Sequence, residues 1–260
     1  MPSIGFDINR YNRCWESISI GEILKCVFET HRNIGNYYKY WIMETFLFGK
    51  SENGLAISAT TFGQRGRHVF ILGGVHGDEI EGVALAKSLI SDFSGSFEYS
   101  LKVTVLSCLN IDGLLLGTRQ NANGIDLNRN LPTKDWDPES FNDRYFPGKK
   151  ANSELENRSL VEFIENRSID FILSLHSFNR ALLNVNGVCE PFDRVINEVT
   201  GLPIEESIGY PTPGCLGTYA GLERDIPTIT YELPRGADIA KVINLHGNAI
   251  KKSLAVFDSR

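Results

Sequence analysis

No apolar run in this sequence approaches the roughly 18 residues that a membrane-spanning helix needs, and no stretch is dominated by Pro and Ser or by one sign of charge. The first absence argues against a helical membrane protein. The second leaves no linker at which to divide the 260 residues, so one large domain over 1–260 is expected, with 1–50 as an N-terminal extension. CxxC spacing is missing too. Cys14, Cys26, Cys108, Cys189 and Cys215 are scattered and odd in number, which suits reduced thiols in a cytosol. Basic residues are not in excess: 26 Lys and Arg stand against 32 Asp and Glu, for a net charge of -6. Nucleic acid and an anionic membrane surface are therefore not expected as main partners. The opening stretch MPSIGFDINRYNRCW holds no basic segment followed by an apolar one, so no secretory signal is read and a cytoplasmic location is expected. Internal repeats and low-complexity tracts are absent as well.

What is present centres on Val69 to Glu79, VFILGGVHGDE. The run Val69, Phe70, Ile71, Leu72 reads as a buried strand, broken by Gly73 and Gly74. From Glu79 onward the pattern turns helical, with Ile80, Val83, Ala84, Ala86, Lys87 and Ile90 giving an apolar stripe and a solvated edge. His76 and Glu79 thus fall where a strand hands over to a helix, the edge at which α/β sheets gather ligands. Imidazole and carboxylate suit Zn²⁺, and a catalytic zinc needs one more protein ligand and an open position.

The rest of the chain alternates in the same way. Ile18–His31 reads as an amphipathic helix, and Tyr40–Phe48 with Leu55–Thr61 as a hairpin turning at Asn53-Gly54. Leu101–Leu106 is a strand. Residues 110–152 form a long aperiodic loop whose Asn, Asp, Arg and Gly content favours a functional role. Ser153–Glu165 reads as a helix capped by Ser153, Ile169–Leu175 as a strand ending at His176, and Pro191–Thr200 as a helix. A short strand lies near Ile204; Tyr210–Leu222 is Gly- and Pro-rich; Ile226–Leu233 is a strand and Asp238–Phe257 a closing helix. The expected fold is α/β: a mixed parallel and antiparallel sheet with helices on both faces.

Three strands then deliver ionisable groups at their carboxyl ends: His76 with Glu79, His176, and Glu232. Two His and one Glu form the ligand set of a hydrolytic zinc site, which leaves Glu232 as a candidate general base. Arg119 and Arg129 can grip a carboxylate or stabilise an oxyanion, and Asn128 adds a neutral donor. Each element also has a plain structural reading. His176 could be a satisfied histidine at a strand end, Glu232 an ion-pair partner for Arg235, each arginine a solvated side chain, and Asn110 or Asn123-Gly124 turn residues. Taken together, the chemical reading is favoured.

HGDE at 76–79, NIDG at 110–113, Arg119, GIDLNRN at 124–130, LSLHS at 173–177 and TYELP at 230–234 resemble, in order, the motifs of the carboxypeptidase A-like zinc metallocarboxypeptidases. The resemblance spans about residues 68–236 and implies a carboxypeptidase-like fold with one Zn²⁺ per chain. It implies His76, Glu79 and His176 as zinc ligands, Arg119 polarising the scissile carbonyl, Asn128 and Arg129 holding a terminal carboxylate, Glu232 in catalysis, and Tyr210 closing over the substrate. NIDG in place of the usual NPDG, and Leu131 where an aromatic is common, are its departures. The stretches at 114–136 and 207–221 further resemble bacterial members that hydrolyse the γ-D-glutamyl-meso-diaminopimelate amide of muropeptides. A short muropeptide is then the implied partner, in cell-wall recycling. Asp and Arg residues between 135 and 150 are candidates, by location, for reading the distal end of diaminopimelate. A zinc deacylase of small N-acyl amino acids, of the succinylglutamate desuccinylase or aspartoacylase type, a generic metallocarboxypeptidase, and a silent binding module that keeps the fold remain alternatives.

Overall fold

A computed structural model describes residues 43–139 and 142–259. The helix expected over 18–31, the start of the strand expected from Tyr40, and the bulk of the 1–50 extension lie outside the described residues. Within residues 41–260, which form one compact unit, eight strands make one sheet: β1 (Met43–Lys50), β2 (Ala56–Phe62), β3 (His68–Gly73), β4 (Lys102–Leu106), β5 (Phe171–Phe178), β6 (Leu182–Asn186), β7 (Ile204–Glu205) and β8 (Thr228–Pro234). Their order is β1-β2-β4-β3-β5-β8-β6-β7. The centre, β4-β3-β5-β8, is parallel, and antiparallel pairs flank it at β1-β2, β2-β4 and β6-β8. Among the described residues five helices accompany it: α1 (Ile80–Gly95), α2 (Ile111–Leu116), α3 (Leu155–Glu165), α4 (Phe192–Thr200) and α5 (Ile239–Asp258). None is long and apolar enough to cross a membrane.

The parallel centre follows from sequence. Every residue of β3 is buried, as both-face burial requires, so its apolar run is continuous rather than alternating. The two faces separate by parity. Val69, Ile71, Val103, Val105, Phe171 and Leu173 pack against α1, α4 and α5. Phe70, Leu72 and Ile172 pack on the other side with Leu160 and Phe163 of α3, Leu127, Leu131 and Tyr219. Helix α1 buries Val83, Leu85, Ala86, Leu89 and Phe93, while Ile80 and Lys87 face solvent. Its apolar stripe is therefore rotated from the one read in the sequence, because Leu89 and Phe93 reach the sheet where Ile90 is only partly covered.

Several boundaries also differ. Strand β5 runs on through His176 to Phe178, since parallel pairing with β8 continues as far as Phe178 and Pro234. Strand β6 was not legible: LLNVN is short, and it forms by antiparallel pairing to β8. Ser153 does not cap α3. Its hydroxyl donates to Glu154 Oε1 (2.6 Å), and the helix begins at Leu155 after Glu154. The 110–152 stretch is not structureless: it holds α2 and two single 3₁₀ turns, Leu127–Arg129 and Asp143–Tyr145. Tyr210–Leu222 ends in one π-helical turn, Gly217–Leu222.

Two buried imidazoles make the fold acid-sensitive. His68, bonded to Thr104 Oγ1 (2.8 Å), and His246, whose Nδ1 accepts from the Tyr231 hydroxyl (2.6 Å), are both brought down by burial to about 4. The unfolded chain protonates near 6.5, so the neutral folded form loses ground as pH falls from about 6.5 toward about 4. The loss is about 2–3 kcal/mol per imidazole at the acid end. Urea unfolding in the presence of chelator at pH 7 and pH 5 should show a lower midpoint at pH 5, and His246→Gln should shallow that difference. An identical pH dependence in the variant would remove His246 from this account.

Candidate metal centre and active site

The exit from β3 is shaped by close approach. Gly74 adopts φ +60°, a left-handed conformation that glycine takes without strain. A Cβ at Gly77 would lie 2.0 Å from the Gly113 carbonyl carbon, so only glycine lets this loop touch α2. Asn110 fixes the contact. Its backbone N–H donates to Gly74 O (2.8 Å), its Oδ1 caps α2 by accepting from Gly113 N (2.8 Å), and its Nδ2 donates to Arg119 O (3.1 Å). The NIDG motif thus does more than turn the chain: it clamps the Arg119 segment to the end of β3.

His76, Glu79 and His176 converge. His76 Nδ1 lies 2.9 Å from Glu79 Oε1, His176 Nδ1 lies 2.9 Å from Glu79 Oε2, and the two Nδ1 atoms are 3.1 Å apart. All three residues are buried. Parallel registration brings them together: β3 aligns Gly73 with Leu175 on β5, and β5 aligns His176 with Glu232 on β8. Each imidazole has a partner on its far side. His76 Nε2 lies 3.1 Å from Asp126 Oδ1, and His176 Nε2 lies 3.0 Å from Ser174 Oγ. With its proton on Nε2, each imidazole would turn its Nδ1 lone pair toward the carboxylate, the side from which a metal ion is bound. Nitrogen and carboxylate atoms at such distances need a cation between them, either a proton on a ring or a metal ion. Zinc fits this set on its donor chemistry, two nitrogens and a carboxylate supported by outer hydrogen bonds.

Asp126 was not singled out by sequence reasoning, although it lies inside DLNRN. Fully buried, it accepts from Arg119 Nε (2.8 Å) and caps the Leu127–Arg129 turn by accepting from Asn128 N (2.9 Å). Burial alone would raise its pKa, yet the Arg119 guanidinium and His76 hold its carboxyl far below the usual range. Burial likewise opposes ionisation of Glu79, and the two imidazoles outweigh it and keep that carboxyl well below 4.5. Arg119 also reaches Glu79 Oε1 through NH1 (3.3 Å).

His76, Glu79 and Arg119 line a cavity of about 340 Å³ together with Asn128, Arg129, Tyr145, Tyr210 and Glu232, with Asp126 and His176 buried behind them. Asn128 Oδ1 accepts from Leu216 N (2.9 Å), which leaves its amide Nδ2 for a ligand. Arg129 donates to Asn128 O (2.6 Å) and lies over the Tyr145 ring. Tyr210, about one-third exposed, faces Tyr145 with ring centroids 6.3 Å apart. Burial pushes the Glu232 carboxyl up to about 7, with His176 pulling down and Glu79 pushing up. Arg235 does not pair with Glu232. Its guanidinium donates to Asp78 Oδ2 (2.7 Å), because β8 ends before it and turns it toward the loop after β3. The structure thus gathers His76, Glu79, Arg119, Asn128, Arg129, His176, Tyr210 and Glu232 into one cavity wall or its immediate backing; of the Asp and Arg candidates between 135 and 150, Arg144 lines the cavity and Asp135, Asp137 and Asp143 do not.

A mixed sheet with a two-imidazole, one-carboxylate donor set at its carboxyl edge defines the class of α/β metal-dependent hydrolases. The zinc carboxypeptidase family (peptidase M14) matches residues 39–201, and the chain belongs to that family. Among its relatives, murein peptide amidase A of Vibrio campbellii is 33% identical over 176 residues, covering 63% of this chain and 68% of that protein. Murein peptide amidase A of Escherichia coli K12 is 29% identical over 175 residues, covering 63% and 70%. The crystal structure of murein-tripeptide amidase MpaA from Escherichia coli O157 superposes with a TM-score of 0.68 at 24% identity, covering 83% of this chain and 93% of that one. Carboxypeptidase A from Helicoverpa armigera gives 0.69 at 19% identity, over 94% and 75%. At such identities, the two structures attest the fold.

Replacing Asp126 by Asn keeps the size of the His76 partner and removes its charge. We expect zinc affinity, measured by chelator competition, to fall about 10- to 100-fold, while His176→Ala abolishes stoichiometric binding. Wild-type affinity in the Asp126→Asn protein would show that the aspartate does not support the centre.

Proposed function

We propose that this chain is a zinc-dependent amidase that hydrolyses the bond between γ-D-glutamate and meso-diaminopimelate in short muropeptides, as a step of cell-wall recycling. The observation that carries it is the relationship to murein peptide amidase A of Vibrio campbellii. The chemistry of the cavity agrees: two arginines and an asparagine amide beside a metal-type donor set suit a substrate with a carboxylate next to the amide to be cut.

His76, Glu79 and His176 would hold one zinc ion, which supplies Lewis-acid polarisation of the amide carbonyl and makes water a better nucleophile at neutral pH. Arg129 and the Asn128 amide bind the carboxylate beside the leaving nitrogen and set the register of the peptide. Arg119, held by Asp126, aims its guanidinium at the carbonyl oxygen where negative charge develops. Glu232 takes a proton from the attacking water and delivers it to the leaving nitrogen, so the amide C–N bond breaks as a neutral amine departs. Burial, which favours the protonated form of Glu232, supports its giving the proton up again to the leaving nitrogen. Tyr210, at the cavity mouth, covers the bound peptide. We place the enzyme in the cytoplasm, supported by Cys108, Cys189 and Cys215 being unpaired and buried.

Purified protein loaded with zinc is expected to release diaminopimelate from γ-D-glutamyl-meso-diaminopimelate, to leave N-succinylglutamate intact, and to lose activity in chelator. Preference for the succinyl substrate would favour the deacylase alternative. Glu232→Gln should retain zinc and lose about 10²- to 10⁴-fold in kcat; near wild-type turnover would exclude it as the base. Arg129→Ala should act mainly by raising KM for the carboxylate-bearing peptide, and a purely kcat effect would argue against a binding role.

A further inference from the structure

A second cationic group in the cavity has no part in the chemistry above. Arg235 follows β8 directly, with its backbone N–H donating to Phe178 O (3.2 Å) at the end of β5. Its NH2 donates to Asp78 Oδ2 (2.7 Å) and to Asp78 O (3.2 Å). Arg144, from the Asp143–Tyr145 turn, donates to the same Asp78 Oδ2 (3.0 Å). Two guanidiniums therefore share one carboxylate oxygen, and one positive charge is left over. Asp78 orients them without cancelling both.

The pair faces the reaction centre. Arg235 NH1 stands 3.8 Å from Glu79 Oε1, the oxygen that Arg119 also approaches, at 3.3 Å. Among the described residues, Arg235 NH1 and Nε make no hydrogen bond. Arg144 and Arg235 are about half and one-third exposed, so both can meet a ligand. The Ser177 hydroxyl, buried, without a partner and lining the same cavity, adds a free polar group nearby. The cavity thus carries two anion-binding groups, Arg129 with Asn128 and Arg235 with Arg144, whereas holding the leaving-amine carboxylate requires one.

We propose that Arg235, oriented by Asp78 and assisted by Arg144, binds a free carboxylate on the acyl half of the substrate and so selects a γ-linked acidic residue over its amide. The proposal rests on the amidase reading. A γ-glutamyl bond leaves the α-carboxylate free, two methylenes and the α-carbon away from the scissile carbonyl. An ordinary α-linked peptide has a continuing amide there and offers no charge. A guanidinium with unused N–H groups distinguishes the two through a charge-assisted hydrogen bond.

The test uses the zinc-loaded full chain and two substrates: γ-D-glutamyl-meso-diaminopimelate, and the same peptide with the α-carboxyl of its glutamyl residue amidated. The wild type is expected to favour the free acid by about tenfold in kcat/KM, chiefly through KM, and the preference should shrink as salt is raised. Arg235→Gln should bring the two substrates to near parity with zinc content unchanged. Arg144→Gln should move the ratio the same way by less, and it serves as the second variant should Arg235→Gln fail to fold. Equal kcat/KM for the two substrates in the wild type, or an unchanged ratio in folded Arg235→Gln, overturns the inference and leaves the amidase reading intact. Turnover of neither substrate with zinc bound overturns the amidase reading, and this inference with it.

Discussion

Charge taken out of water is the constraint around which this molecule is built. Glu79 and Asp126 are both buried, and a buried carboxylate persists only when cations or donors surround it. Arg119 bridges the two, through Nε to Asp126 and NH1 to Glu79, and His76 lies between them with one ring nitrogen on each. Ser177 N adds a backbone donor to Glu79 Oε2 (3.2 Å). Each of these groups is thus held by at least one of the others. That network fixes the orientation of the His76 ring, which a metal ligand needs.

The backbone around the cluster serves the same end. Glycine at 77 lets the β3 exit lie against α2, and Asn110 locks the Arg119 segment onto it. Asn130 does the equivalent for the long loop, its Nδ2 donating to Pro147 O (2.7 Å), Lys150 O (3.0 Å) and Ser153 Oγ (3.1 Å). A segment that looks aperiodic is therefore ordered by side-chain-to-backbone bonds rather than by helix or strand ladders. That suits a loop which must present Arg119, Asn128 and Arg129 at fixed positions.

How much was legible in sequence depended on range. Strands β3 and β4 and helix α5 follow from local pattern and appear where expected. The stripe on α1 is rotated from the expected one because Ile80 and Ile90 fit a helical template as well as Leu89 and Phe93 do, and only the neighbouring sheet chooses between them. Strand β6 escaped notice because five residues carry too little pattern without β8 beside them. In the site, the types of donor were readable and the partners were not. Asp126 reads as one more polar loop residue until His76 and Arg119 are seen on either side of it. Arg235, three residues from Glu232 in sequence, pairs instead with Asp78, 157 positions away.

The sequence by itself determined the alternation of strand and helix, the absence of any membrane-spanning helix among the described residues, and the chemical kinds of group that end the strands. Those depend on neighbours within a few positions, where periodicity and turn chemistry act. Tertiary structure alone decided which groups meet. His76 and His176 lie 100 positions apart, and their 3.1 Å approach exists only because parallel strands register residue against residue across the sheet. Partnership among charges is likewise settled by which of them lose water together, and that is a property of the packed molecule rather than of the chain.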